Sequence, residues 1–344
     1  MALSWSTDYG WTESPDGLNS ILVDNRLWRN SAFLSEIHIF NPQAANAFRT
    51  GVNRVTAQGL STSPGNNPAA SDPRLGILPG RDAPALSVPG LTKFTGGNNG
   101  LGTTNFWFTN LQFYDDLSIQ KGRSLIKIGA EFIRYRYNTQ VAAEPNGEYD
   151  FSTLNDFLTN QKLAQFFADV FYAGQQATPS GTGFPERGFR QNLAALYFQD
   201  DLRLKPNLTL NVGLRYETVS QPTEVNGLLS NLQDIYSTDL NVSKPLFRNP
   251  SRLNFEPRIG LAWDPFKGGK TSVRAAFGIF DVLPLIYEFS MLEAYSGPFS
   301  SLVTLINPPS GSFPDGGYQS ILNLNASNGP VREPSMNTIR RATT

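Results

Sequence analysis

The sequence contains no cysteine and a single histidine, His38. Disulfide scaffolds and thiolate-ligated zinc or iron–sulfur sites are therefore excluded. One imidazole cannot build a His-rich metal site or supply much acid–base chemistry, so no catalytic, metal or cofactor site is expected. Charged residues are scarce at 17%, and Lys+Arg (28) nearly cancels Asp+Glu (29). With no basic excess or basic run, nucleic acid is not an expected partner. No stretch of ~18 apolar residues occurs, so no membrane-spanning helix is expected. The longest apolar stretch, Ala275 to Tyr287, is broken by Gly278, Asp281 and Pro284. Hydropathy windows miss one class of membrane segment: a transmembrane strand needs only ~9–11 residues, apolar on one face.

Turn formers and aromatics are plentiful: 30 Gly and 24 Pro stand beside 24 Phe, 12 Tyr and 5 Trp. Together they point to β structure with many turns. The clearest strand is Leu208 to Glu217. Leu208, Leu210, Val212, Leu214 and Tyr216 share one face, and Thr209, Asn211, Gly213, Arg215 and Glu217 the other. The turn signal Lys205-Pro206-Asn207 joins it to a preceding arm, giving a hairpin near 192–219. Similar hairpins are expected near 33–54, 105–137 and 254–281. Phe113 to Ile119 and Phe198 to Leu204 share a leading Phe, two adjacent acids and an apolar end. This marks a recurring hairpin type.

The connections are unequal. Turns within hairpins are short, whereas Val55 to Gly102, Thr139 to Gln191 and Gln221 to Asn254 are long and rich in Gly, Pro, Ser and Asn. Short turns on one rim and long loops on the other describe an outer-membrane barrel, with periplasmic turns and extracellular loops. The expected fold is all-β, an antiparallel transmembrane β-barrel segment forming part of a large barrel. Asn211, Arg215 and Arg274 would face the lumen, and Leu210, Val212, Leu214, Phe277 and Ile279 the lipid. Trp107 and Trp263 suit interfacial girdles and equally the core of a soluble β domain. In one long link, Ser152 would cap a helix in which Leu154, Phe157, Leu158, Phe166, Phe167, Val170 and Phe171 recur near helical spacing.

Four features invite a chemical reading and each has a plainer one. Gly268-Gly269-Lys270-Thr271 ends like a phosphate-binding loop, but position 264 is Asp and a strand follows, so a hairpin turn is expected. Asp115/Asp116 and Asp200/Asp201 are adjacent on strands, so each pair points to opposite faces and cannot act as a carboxylate pair. They read as rim or lumen polar residues. Glu144, Glu148, Asp150 and Asp156 form a loosely acidic loop without calcium-loop spacing. His38 alternates with Ile37 and Ile39 and reads as a polar-face strand residue.

The stretch Tyr197-Phe198-Gln199-Asp200-Asp201-Leu202-Arg203-Leu204-Lys205-Pro206-Asn207, continuing through Glu217, resembles a barrel hairpin of TonB-dependent outer-membrane receptors. It is most similar to the Oar-like, or carboxypeptidase-regulatory-like, branch. Asn254 to Pro265, Gly269 to Asp281 and Ile128 to Phe132 fit the same pattern, so the resemblance spans roughly 33 to 290. It implies a 22-stranded barrel with an N-terminal plug that imports scarce nutrients in the bacterial outer membrane, driven by the TonB complex. The implied partners are outer-membrane lipid, the TonB complex through a plug region, and a small-molecule, peptide or glycan substrate. No plug, signal peptide or TonB-contacting segment is recognisable, and Asn337 to Thr344 lacks a terminal aromatic strand. With about eight to ten strands legible, the expectation is a central piece of a longer receptor or a truncated product. The alternative is a secreted or surface β-rich binding module, such as an adhesin, whose apolar faces pack on each other.

Overall fold

The computed structural model describes residues 1–62, 68–77, 81–98, 102–142, 145–173, 176–178, 186–232, 236, 241–242, 246–247, 251–294 and 300–314. A single antiparallel sheet dominates. We number the strands along its path β1 (Ala2–Pro15), β2 (Leu22–Asn41), β3 (Ala44–Thr62), β4 (Thr103–Lys121), β5 (Ser124–Ala142), β6 (Arg187–Lys205), β7 (Leu208–Val219), β8 (Phe255–Trp263) and β9 (Val273–Gly278). Each strand pairs with the next in sequence, and the short Thr223–Glu224 pairs with β6. Among the described residues β1 and β9 do not pair with each other, so the sheet is open.

The four hairpins read from the sequence are β2–β3, β4–β5, β6–β7 and β8–β9; the first three extend several residues further toward the long loops, whereas β9 ends at Gly278, so Ile279 lies just past it. β1 is an additional strand. Its Leu3, Trp5, Tyr9 and Trp11 share one face, opposite Ser4, Ser6 and Asp8 on the other.

Two rims follow from the up-and-down order. One carries the short turns Pro42-Gln43, Gly122-Arg123 and Pro206-Asn207. Gly122 takes a left-handed φ of 60°, which glycine adopts without steric cost. Neighbouring turns are tied by backbone hydrogen bonds, from Gln120 N to Gln43 O (2.7 Å), Arg203 N to Arg123 O (2.9 Å) and Asp264 N to Asn207 O (2.9 Å). The fourth link on this rim, 264–272, is longer than the expected turn 265–269, and β9 starts at Val273. The opposite rim carries 16–21, 63–102, 143–186 and 220–254.

Strict alternation separates the two faces. The register of β4 with β5 runs unbroken from Thr103↔Ala142 to Lys121↔Ser124. A slip of one residue would exchange the faces, so the apolar pattern pins the pairing. One face carries Leu34, Phe48, Val52, Phe113, Leu117, Ile128, Phe132, Leu196, Phe198, Val212, Leu214, Ile259 and Phe277. Most of these are exposed, with Leu196 64% and Phe277 68% accessible. Among the described residues no protein layer covers that face. The other carries Arg49, Asp116, Lys127, Glu131, Tyr197, Asp201, Asn211, Arg215, Glu217, Arg258 and Arg274. Asn211, Arg215 and Arg274 thus share the polar face, and Leu210, Val212, Leu214 and Phe277 the apolar one, as the alternation predicts.

Segments of the long links form a second sheet. Ser300–Ile306, Leu163–Ala173, Glu148–Phe151 and Ala85–Ser87 lie side by side, with Gln176–Thr178 beside Leu163–Ala173. Tyr149, Phe151, Leu163, Phe166 and Leu305 form its core. This corrects the helix expected after Ser152. Helix α1 covers only Leu154–Thr159, and its cap is Thr153, whose Oγ accepts from Asp156 N. Phe166 and Phe167 are on a strand. Their apolar run suits both periods, and tertiary pairing decides between them.

Candidate functional site on the polar face

The polar face holds a hydrogen-bonded charge network spanning β3 to β7. Arg215 on β7 bridges two carboxylates, reaching Glu131 on β5 at 2.5 Å and also pairing with Glu217. These side chains are mostly shielded, with Arg215 at 18% and Glu131 at 15% exposure. Toward β3, Arg49 pairs with Asp116, and the Tyr197 hydroxyl donates to the same carboxylate. Arg49 also lies over the Tyr114 ring, 5.7 Å from its centroid. Toward the short turns, Asp201 Oδ1 accepts from Gln199 (2.9 Å) and Asn211 (2.5 Å). On β8, Arg258 pairs with Glu256 at 2.6 Å.

One glycine makes part of this network possible. Tyr197 on β6 reaches Asp116 on β4 by crossing the intervening β5 at Gly129. A Cβ at Gly129 would lie 2.2 Å from the Tyr197 ring and 2.6 Å from Asp116 Oδ1. No side chain fits there unless the phenol moves.

Toward the long loops the same face turns aromatic. Ile133, Tyr135, Phe189, Leu193 and Val219 cluster with Leu229 and Ile286 from the loops, and Phe108, Tyr137, Leu283 and Leu285 pack against them. Helix α2 (Ile286–Ala294) begins there. Gln191, fully buried, holds this returning segment. Its Oε1 accepts from Ile286 N (2.8 Å), and its Nε2 donates to Pro284 O (2.9 Å) and Ser220 O (3.1 Å). A loop segment thus sits against the wall above the charges.

The residues singled out from the sequence are dispersed. Asp116 and Asp201 enter the polar network, while Asp115 and Asp200 point to the apolar face. The rim-or-lumen reading therefore fails for Asp115, which lies between Phe113 and Leu117 and accepts from Asn46 at 2.7 Å. His38 also departs from its reading. It shares the apolar-face side with Leu34 and meets Phe40 edge-on at 4.6 Å, while Ile37 and Ile39 share the side of Arg49. Asp264 organises the loop preceding Gly268 to Thr271, accepting from Phe266 N (3.2 Å) and Gly269 N (2.8 Å). Glu144 lies outside the described residues, as does Asn337 to Thr344. Of the other loop acids, Glu148 pairs with Lys93 at 2.6 Å and also meets Asp150, which accepts from Gln165, while Asp156 accepts from Thr153. Burial pushes the Glu148 carboxyl up, against the pull of Lys93. Among the described residues no group of three His, Cys, Asp or Glu is placed to hold a metal.

The family model for an outer membrane beta barrel domain matches residues 3–343. The chain belongs to that family. The apolar face therefore meets lipid and the polar face lines the interior, and the chain is a protein of the bacterial outer membrane. Trp28 and Trp107, on one row of the outer wall near the long loops with Thr56 between them, and Trp263, near the short turns, take girdle positions at its two edges. No curated protein matches the chain. Among solved structures it is similar to a chain described as P. aeruginosa FpvA bound to heterologous pyoverdines. That match has 9% identity and a TM-score of 0.32, covering 80% of this chain and 37% of that one.

Sequence reasoning missed the joining of charges on β5 and β7 through Arg215 and of Asp116 on β4 to Arg49 and Tyr197. The only signal was the recurrence of single charges at polar-face positions of strands far apart in sequence.

Proposed function

We propose that this chain forms part of the wall of a TonB-dependent receptor of the Oar-like branch, which takes up a small-molecule, peptide or glycan substrate across the outer membrane. The observation that carries this reading is the interior wall. Its lower part is lined by paired charges around Arg215, and its upper part is closed by an aromatic shelf under folded loops. A substrate would meet the loop sheet first and then pass a polar lining. The Tyr197–Glu217 hairpin, which resembles receptors of this branch, supports the same reading. Energy would come from the TonB complex acting through a plug region that is not recognisable in this sequence. The chain itself would do no catalysis and bind no nucleic acid. The surface-module alternative needs apolar faces that pack on each other, whereas among the described residues Leu196 and Phe277 have no layer over them.

The test is growth of cells carrying or lacking the full-length gene on limiting chelated metals, oligosaccharides or peptides. Growth on one nutrient class that needs both the gene and the TonB complex is expected. Equal growth on every class, with the receptor assembled, would sink the proposal.

A further inference from the structure

We propose that the outer wall carries a binding site for the phosphate groups of anionic lipid headgroups, built by Arg54, Arg134, Arg136 and Arg190. All four lie on the lipid-facing side. Arg54 on β3 is opposite Thr109, Thr109 is opposite Arg136, and Arg136 is opposite Arg190. They therefore fall on one lateral line across four neighbouring strands. Arg134 is one step nearer the apolar band, opposite Leu111 and Asn192. The next row down is Phe113, Phe132 and Ala194, which begins the lipid-exposed surface.

The inward-facing Arg49, Arg215 and Arg258 each pair with a carboxylate. No carboxylate among the described residues is in ion-pair contact with Arg54, Arg134, Arg136 and Arg190, and only Arg190 feels one through space, from Glu224. Their hydrogen bonds go to neutral groups: Arg54 to Thr109 (3.4 Å), Arg134 to Asn192 (2.9 Å) and Arg190 to Asn138 (2.8 Å) and the Phe189 carbonyl (2.7 Å). The neighbouring Glu224 spends its oxygens on the backbone N–H groups of Gly188, Asn226 and Leu228. Glu186 accepts from Asn138 at 3.4 Å.

Like charges directly opposite on paired strands destabilise a sheet, and Arg136 faces Arg190 in that way. A shared anion would turn that cost into binding, and guanidinium forks suit phosphate oxygens. Position selects the source of the phosphate. The row lies toward the long, extracellular loops and borders the apolar band, which is headgroup depth in the outer leaflet.

The experiment is native mass spectrometry of the full chain folded in zwitterionic micelles, with diphosphorylated lipid A as probe. Phosphatidylcholine and inorganic phosphate serve as the comparison ligands. Arg54→Gln/Arg136→Gln/Arg190→Gln should retain lipid A about a hundredfold less well, at about fivefold per arginine, with phosphatidylcholine retention unchanged. The triple Lys variant should keep most of the binding. Retention by the parent chain should fall as salt rises from about 0.05 to about 0.5 M. Equal lipid A retention by the triple Gln variant would overturn the site. If that variant fails to fold, salt-independent retention by the parent chain does so instead. Competition by millimolar inorganic phosphate as strong as that by lipid A would overturn the lipid assignment in favour of a free anion.

Discussion

The carboxylate of Asp16 accepts a hydrogen bond from the Thr95 hydroxyl at 2.7 Å, joining the β1–β2 loop to the long β3–β4 link. The same carboxylate also accepts from Ser20 N and Oγ (2.6 Å each) and Ile21 N (3.1 Å). Partial burial works against its ionisation, but the bonds from Ser20, Thr95 and Ile21 outweigh that and hold its carboxyl below the usual range. A carboxylate depressed in the fold stabilises it above the unfolded pKa, and that contribution is lost as pH falls through the folded value. Asp16→Ala should loosen both loops by about 2 kcal/mol. Loop hydrogen exchange should rise in the variant at neutral pH, and in the parent chain only as pH drops below about 4. Equal exchange in both at neutral pH would refute the clamp.

Lipid facing can be read from paired substitutions. Val212→Arg and Phe277→Arg place a charge on the apolar side, at about 2–4 kcal/mol near the midplane. Asn211→Arg and Ala276→Arg place the same charge on the interior side of the same strands. The first two should lower the folded fraction in membranes, measured by heat-modified gel mobility, and the second two should leave it nearly unchanged. Similar losses in all four would mean that the faces are misassigned.

How much of this was legible follows from periodicity. β7 was read correctly in both faces because five successive pairs alternate without exception. Hairpin ends fell short because strands here continue beyond the lipid, where outward residues turn polar, as at Arg134 and Arg136, and inward residues turn aromatic, as at Tyr135 and Tyr137. The alternation inverts there instead of ending. The same inversion near the short turns hid the side of His38, since Ile37 and Ile39 face inward. β1 escaped notice because Trp5, Tyr9 and Trp11 alternate with Ser, Asp and Gly, a pattern with little aliphatic content. The Arg215 network depends on which strands become neighbours, and residues 131 and 215 are brought together only through β6.

The Gly129 crossing predicts a steric effect with a specific readout. Gly129→Val should push the Tyr197 ring aside, break its bond to Asp116 and cost about 1–3 kcal/mol. Tyr197→Phe removes only that hydroxyl and should cost about 1 kcal/mol. Because both act on one contact, the double variant should be less destabilised than the sum of the singles, as measured by urea unfolding in vesicles. Strict additivity would show that the valine acts elsewhere.

Arg215 is the pivot of the interior charges, and its removal strands two carboxylates. Arg215→Met should destabilise the barrel by about 2 kcal/mol, below the cost for a fully buried pair because solvent still reaches the site. Glu131→Gln leaves Arg215 paired with Glu217, so it should cost less. Combining Arg215→Met with Glu131→Gln should recover part of the loss, since one stranded charge is then gone. A double variant worse than Arg215→Met alone would argue that Glu131 acts through other contacts.

Gln191 predicts the behaviour of the segment resting on the interior wall. Its amide is buried and serves both Pro284 O and Ile286 N, so it fixes the start of α2. Gln191→Leu keeps the bulk but leaves those two groups without partners, at about 1–3 kcal/mol each when they stay buried. The segment can avoid that cost by lifting off the aromatic shelf, where Ile286, Leu283 and Leu285 are its apolar anchors. Protease cleavage within 283–294 should therefore rise in Gln191→Leu while the strands stay protected. Ile286→Ala should produce the same cleavage by the other route, through lost packing. Protection of the segment in both variants would mean that the loop is held by contacts other than these two.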